Sequence, residues 1–339
     1  MADVFGTEVH GLGTRRPVYG RYVMEYIPIE DLDGRPNIIV DGYPTNGTVL
    51  TLSHWPDSGT PGPLSDDLST QIVFHYLDGS ERVVADLVSN NHFDQDGLCG
   101  IFVLVHPEQA ASHRDLLIDV ASAGDFATFH DRDAARIAIA LAAFETNESS
   151  PIARELAGKP YAQQTSILYR HLLGELPEML QNPERYRAFW ETEDVRIDES
   201  EKAIASRTVT VTERRDIDLA TVVVPEDYPD ADDNEWSGGL HPMALHNETH
   251  RHRILIQRGN RYRLRYRYET WVKFTSRPVT PRVDLGPLAE RLSEEEKEGR
   301  WRFDGVDQIT PSLHLEGSEE SAIAPQRFRA MVEEFLTAT

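Results

Sequence analysis

The sequence predicts an α/β fold, a mainly parallel sheet flanked by helices, followed by a second, β-rich α+β domain. Three observations carry this expectation. Apolar runs of strand length alternate with helical segments through the first 150 residues, helical patterns fill the middle, and β-branched or aromatic alternation takes over after about residue 205. At 339 residues the chain has room for one large or two ordinary domains. The pattern divides it into an α/β metal-site domain over 1–150, a helical connector over 151–204 and a β-rich domain over 205–339.

Taken in order, strands are expected from Gly20 to Ile27, Asn37 to Asp41 and Thr48 to His54, a helix from Ser69 to Leu77, and a buried strand from Val83 to Ser89. A helix from Pro107 to Ala123 completes the rhythm of a parallel sheet with helices on its faces. Alanine-rich Arg132 to Ala143 favours a helix, and helices continue at Tyr161 to Leu173 and Pro183 to Thr192. Strands then follow at Arg207 to Thr212, Ile217 to Val224, Arg253 to Ile256 and Tyr262 to Phe274, with a charged helix end from Leu292 to Gly299. The acidic, proline-bearing run Pro225 to Asn234 reads as a loop.

Composition narrows the classes of function. With 57 acidic against 34 basic residues the formal net charge is −23, which repels polyanions and excludes an extended nucleic-acid surface. Apolar runs of transmembrane length are absent, so no membrane partner is expected, and Met1 to Glu8 shows neither a basic leader nor an apolar signal core. Cytoplasmic residence is the default. The single cysteine, Cys99, excludes an internal disulfide framework, and its apolar neighbours make it a small buried residue rather than a nucleophile. A P-loop, a nucleophile elbow and a dinucleotide fingerprint are all missing.

The most informative stretch is Asn90-Asn91-His92-Phe93-Asp94-Gln95-Asp96-Gly97, directly after the Val83 to Ser89 run. It puts an imidazole and two carboxylates at i, i+2 and i+4 where a sheet strand opens to solvent, with a glycine that lets the backbone turn into a helix. Helix capping accounts for one aspartate; it leaves the second carboxylate and the histidine unexplained. Oxygen ligands with an imidazole suit Mn²⁺ or Mg²⁺, so His92, Asp94 and Asp96 are candidate ligands for metal-assisted hydrolysis.

This hexapeptide resembles the first motif of the DHH phosphoesterase superfamily, whose members bind two Mn²⁺ ions and hydrolyse phosphodiester or phosphoanhydride bonds. Three further segments are similar to parts of that family. Ser122-Ala123-Gly124-Asp125 looks like a segment that delivers an additional metal-ligating aspartate, Asp125, although capping or closing a turn explains it equally. Ser53-His54-Trp55 stands where the family carries Asp-His-His, with two of three residues different, and it precedes the Asp-x-Asp motif instead of following it. Ser237-Gly238-Gly239-Leu240-His241 is similar to the glycine-rich substrate loop, with an inserted leucine. The resemblance implies substrate contact at Gly238 and Gly239, and His54 or His241 as proton donor to the leaving oxygen.

Two further patterns carry alternatives. Arg261, Arg263, Arg265 and Arg267 share one face of a strand, either laddered against aspartates and glutamates of adjacent strands or reading phosphate, in which case Arg263 and Arg265 bind substrate. His246 and His250 are four apart, but the strand expected next argues against a helical pair. Asp41 and Asp304 precede glycines and read as turns. The expected function is a divalent-metal-dependent phosphoesterase acting on a small phosphorylated or nucleotide substrate, with a homodimer left open. The alternative is a non-catalytic phosphorylated-ligand-binding or scaffold protein on a diverged fold.

Overall fold

The computed structural model describes residues 23–146, 148–230 and 237–339. Four short strands, β1 (Glu25–Tyr26), β2 (Asn37–Val40), β3 (Thr48–Leu52) and β4 (Leu87–Ser89), form an all-parallel sheet in the order β1-β4-β2-β3. Every residue of β2 and β4 is buried, as the continuous apolar run Ile38-Ile39-Val40 requires of strands covered on both faces. Ile38, Val40, Leu52 and Val88 enter the main core with helices α1 (Ser69–Asp78) and α2 (Gln95–Val105). Ile39 and Leu87, of opposite parity, are instead covered by Leu32 with Ile27 and Ile29, so a short 3-10 segment stands where a second helical layer was expected.

Gly100 of α2 explains how that helix lies so close to the sheet: a Cβ there would come within 2.7 Å of Val40 Cγ1. Helices α3 (Pro107–Ser112), α4 (Arg114–Asp125), α5 (Arg132–Thr146), α6 (Ala153–Leu156), α7 (Tyr161–Gln181) and α8 (Arg187–Ala205) follow. The single expected helix over 107–123 is divided at His113, which ends α3 and precedes α4.

The second sheet has six strands: β5 (Thr210–Arg214), β6 (Leu219–Val224), β7 (Arg253–Arg258), β8 (Arg261–Tyr266), β9 (Arg300–Phe303) and β10 (Ser312–Glu316). Their order is β5-β6-β7-β8-β10-β9, and only β6 and β7 run parallel. Helices α9 (Pro242–Glu248), α10 (Gly286–Glu294) and α11 (Pro325–Ala338) pack against it. The α/β character expected from the sequence is therefore present, with one parallel and one mixed sheet. Among the described residues no helix is long and apolar enough to cross a membrane.

Several boundaries differ from expectation. The strand expected from Val83 begins only at Leu87: Val84 is 92% exposed, Arg82 donates to Tyr76 O and Leu77 O, and Val83 N donates to the Tyr76 hydroxyl at 3.2 Å, so this stretch is tied to the end of α1 and not to the sheet. The expected strand Tyr262 to Phe274 ends at Tyr266, after which a 3-10 turn at Tyr268–Thr270 carries the chain back to the first sheet. There Lys273 N donates to His54 O at 2.7 Å, and Thr275 N donates to Asp67 Oδ1 at 2.6 Å. Met1 to Glu8, the first three residues of the Gly20 to Ile27 run and Ala231 to Asn234 of the acidic loop lie outside the described residues.

Candidate metal centre

Three adjacent strands of the parallel sheet deliver the site from their C-terminal ends. Asp41 follows β2 directly, and its φ of +49° places a non-glycine residue in the left-handed region. Asp41 Oδ1 accepts from Ser69 Oγ at 2.8 Å, and Asp41 N donates to Leu52 O at 3.0 Å, which fixes the strained residue in place. His54 follows β3. Its ring Nδ1 lies 2.5 Å from Asp67 O, so Nδ1 carries a hydrogen and Nε2 is the nitrogen turned toward the carboxylates.

The loop after β4 folds around Asn90, whose Oδ1 accepts from Asn91 N at 2.6 Å and His92 N at 3.2 Å. Asp94 caps α2, accepting from Gly97 N at 2.8 Å. Asp96 stands in the first turn of α2 and accepts from Ser69 N at 2.6 Å and Thr70 N at 2.8 Å, the amides that open α1. Gly97 is needed for close approach, since its φ is not positive and it lies within α2. A Cβ there would fall 2.4 Å from Asn90 Nδ2 and 2.6 Å from the Tyr169 hydroxyl.

These side chains form two ligand groups that share one carboxylate. Asp41, His92 and Asp94 make the first, and Asp41, His54 and Asp96 the second; within each group the ligand atoms all lie within 4.8 Å of one another. Asp41 Oδ1 stands 3.4 Å from His54 Nε2, while its Oδ2 stands 3.1 Å from His92 Nε2. His92 Nε2 is 2.7 Å from Asp94 Oδ2, and His54 Nε2 is 3.9 Å from Asp96 Oδ2 and 3.4 Å from Asp125 Oδ2. Asp125 is the last residue of α4. Asp41 Oδ2 and Asp125 Oδ2 are buried and accept no hydrogen bond of good geometry, although each faces an imidazole nitrogen.

Electrostatics supports a cation-holding role. Burial raises the carboxyl of Asp41, but hydrogen bonds and charge from His54 and His92 outweigh it and hold Asp41 well below the ordinary range. Burial and the Asp41 charge push Asp96 up to about 6, and burial with Asp96, Asp94 and Asp41 pushes Asp125 well up. Burial disfavours imidazolium, yet Asp41 and Asp96 push His54 up to about 9, and Asp94 with Asp41 push His92 up to about 12. Without cations, then, the cluster retains protons to offset its crowded negative charge. Four carboxylates and two neutral imidazoles match the charge of two divalent ions, and binding them would release those protons.

A cavity of about 430 Å³ opens beside the cluster, lined by His92, Asp94 and Asp125 on one side and by Arg265, Tyr268 and Ile309 among others. Residues 22–339 match a protein family described only as a family of unknown function (DUF6687). The chain belongs to that family. No curated protein and no solved structure matches it.

The DUF6687 chain thus brings His54, His92, Asp94, Asp96 and Asp125 together around Asp41, a residue that reads as a turn in the sequence. An aspartate placed directly after the buried run Ile38-Ile39-Val40 is the signal that marks it. His54, expected as a proton donor, is fully buried with Nε2 among the carboxylates, the position of a ligand. His241 belongs to neither ligand group and is not a cavity residue; its Nδ1 caps α9 by accepting from Met243 N at 3.1 Å. Gly238 and Gly239 also lie away from the cavity, at φ +73° and +96°, and a Cβ on Gly239 would meet Pro229 O at 2.0 Å. Their positive φ values make a tight turn there.

The arginines divide by depth. Arg263 is half-buried and does not line the cavity, whereas Arg265 is buried and does, with Nη2 3.4 Å from His246 Nε2. Arg267 pairs with buried Glu269, two residues on, at 2.6 Å, and Arg261 lies 3.7 Å from Asp230 of the acidic loop. Among the described residues the expected ladder against acidic residues of adjacent strands is not formed, since Arg258, Ile256 and Ile254 of β7 and His314 and Ser312 of β10 stand opposite Arg261, Arg263 and Arg265. His246 lies in α9 while His250 lies beyond it, so the two are not a helical pair. Asp304 takes the Ser312 N hydrogen bond at 2.8 Å in the β9–β10 connection, in keeping with a turn.

Proposed function

We propose that this chain is a divalent-metal-dependent phosphoesterase, with Mn²⁺ or Mg²⁺ in a two-ion site, acting on a phosphodiester or phosphoanhydride bond of a small phosphorylated or nucleotide substrate. The observation that carries the reading is Asp41, one carboxylate whose two oxygens face the imidazoles of two separate ligand groups. A carboxylate shared by the two ligand groups would let them hold a pair of ions side by side. The resemblance of His92 to Gly97 to the first DHH motif supports it, because that segment contributes a ligand to each group. The motif order still differs from that of the superfamily, since Asp41 and His54 precede His92.

Bound there, a pair of divalent ions would supply Lewis acidity at a phosphoryl oxygen and acidify a water. His92 and Asp94 with Asp41 would hold one ion; Asp96, His54 and Asp125 with Asp41 would hold the other. Imidazole in each group favours Mn²⁺ over Mg²⁺. Arg265, buried at the cavity wall, matches nonbridging phosphate oxygens with its planar fork. Burial and the charges of Asp125, Asp41, Asp94 and Asp96 keep the Tyr268 hydroxyl protonated at 3.5 Å from His54 Nε2, as a hydrogen-bond donor at the cluster edge. On this reading the six-stranded sheet is the β-rich second domain that closes the cleft.

The test is hydrolysis of bis-p-nitrophenyl phosphate and short oligonucleotides with Mn²⁺ and with chelator, comparing the unmodified protein with Asp94→Ala/Asp96→Ala. Mn²⁺-dependent turnover lost in the variant is expected. Absence of turnover, with a melting temperature indifferent to Mn²⁺, would favour the non-catalytic ligand-binding alternative instead.

A further inference from the structure

The β9–β10 connection reaches the metal centre from the far edge of the second sheet. Between Asp304 and Pro311 the chain leaves the ladder, and Ile309 and Thr310 line the same cavity as His92, Asp94 and Asp125. Ile309 is 49% exposed, an apolar side chain lining a cavity that also carries His92, Asp94, Asp125 and Arg265. Phosphate oxygens belong beside those charged groups, so an apolar lining residue is suited to the organic group that the phosphate carries.

One guanidinium holds this loop. Arg282 Nη1 donates to Val306 O at 2.7 Å and Gln308 O at 2.5 Å, and its Nη2 donates to Ile309 O at 2.6 Å. Its Nε donates to Thr270 Oγ1 at 2.8 Å, and that hydroxyl donates to Arg267 O at 2.7 Å. The guanidinium carbon also lies 5.9 Å from the ring centre of Tyr266, a cavity residue. The fork therefore couples the loop to the end of the strand that carries Arg265.

We propose that Arg282 is a specificity-positioning residue: by latching the β9–β10 loop it sets Ile309 as the wall that limits the size of the group on the substrate phosphate. The proposal rests on the phosphoesterase reading of the cavity. It selects for small phosphorylated substrates, because about 430 Å³ is near the lower end of small-molecule pockets. Removing the wall admits larger groups and enlarging it excludes them.

The experiment uses the full chain with Mn²⁺ and three p-nitrophenyl phosphodiesters that share a leaving group: the methyl ester, the bis-aryl ester and the thymidine 5′-ester. The variants are Ile309→Ala, Ile309→Trp and Arg282→Met, the last keeping an unbranched stem without the donors. In Ile309→Ala and Arg282→Met the kcat/KM of the thymidine ester relative to the methyl ester is expected to rise on the order of tenfold, the effect of one or two methylenes in an apolar pocket. In Ile309→Trp the same ratio falls, and in all three the Mn²⁺-induced rise in Tm persists. Metal-dependent turnover with an unchanged ratio in both Ile309 variants would overturn this proposal alone. Absence of metal-dependent turnover in the unmodified protein would overturn the phosphoesterase reading, and this proposal with it. Because Ile309 lies on an exposed loop, its two variants decide the wall even if Arg282→Met fails to fold; Arg282→Lys, which keeps the charge but loses the fork across the three loop carbonyls, then decides the latch, and a ratio unchanged in it would overturn the role of Arg282.

Discussion

Asp41 and His54 leave adjacent parallel strands and meet at 3.4 Å, Oδ1 to Nε2, where neither side chain is open to solvent. The remaining oxygen of Asp41 turns to His92, so the two ligand groups cannot be varied independently at this residue. Asp41→Ala should therefore remove both ions, whereas Asp94→Ala should remove one. Calorimetric titration with Mn²⁺ is expected to give about two equivalents for the unmodified protein, roughly one for Asp94→Ala and none for Asp41→Ala. Equal losses in the two variants would mean that a single ion is shared by all the ligands.

Gly97 offers a test of the scaffold that does not touch a ligand. A methyl group there meets Asn90 Nδ2 and the Tyr169 hydroxyl well inside van der Waals contact, and Asn90 is the residue that orients the His92 amide. Gly97→Ala is expected to cost about 1–3 kcal/mol by urea denaturation, the range for overpacking a close-packed interior. Its Mn²⁺-induced rise in Tm should also shrink, since Asn90 must shift and His92 and Asp94 with it. A variant as stable as the parent and equally responsive to Mn²⁺ would show that α2 takes the added methyl without displacing Asn90.

What the sequence reveals and what it hides follow from the range of each interaction. His92, Asp94 and Asp96 are legible because five residues of local spacing place them at one strand end. The role of Asp41 is not legible, because it depends on β2 lying between β4 and β3, and nothing in the order of residues states the order of strands. Asp125 reaches the cluster from the end of α4, where capping and ligation look alike in sequence. Alternation correctly puts Arg263 and Arg265 on one face of β8, yet it carries no information on depth, and only the deeper of the two lines the cavity. Gly238 and Gly239 mislead for a related reason: a glycine pair signals positive φ equally well in a substrate loop and in a turn.

His241, displaced from the catalytic role the sequence suggests, makes a prediction about stability. Burial, together with the charges of Arg196 and Arg132, lowers its pKa from 6.5 to about 3; Glu193, 3.5 Å from Nε2, is already engaged by Arg196 at 2.7 Å. The unfolded chain therefore binds a proton below pH 6.5 that the folded chain refuses. The stabilising contribution is complete above pH 6.5 and is lost as the pH falls toward 3, amounting to roughly 2–3 kcal/mol lost at pH 4.5. His246, lowered by burial and by Arg267 and Arg265, acts in the same direction. Asn at 241 keeps an acceptor for the α9 cap but cannot titrate. The drop in unfolding free energy between pH 7 and pH 4.5, from urea curves, should be smaller in His241→Asn by about that amount, with the carboxylate contributions common to both proteins cancelling. Superimposable profiles would place the His241 imidazole within reach of solvent protons in the folded state.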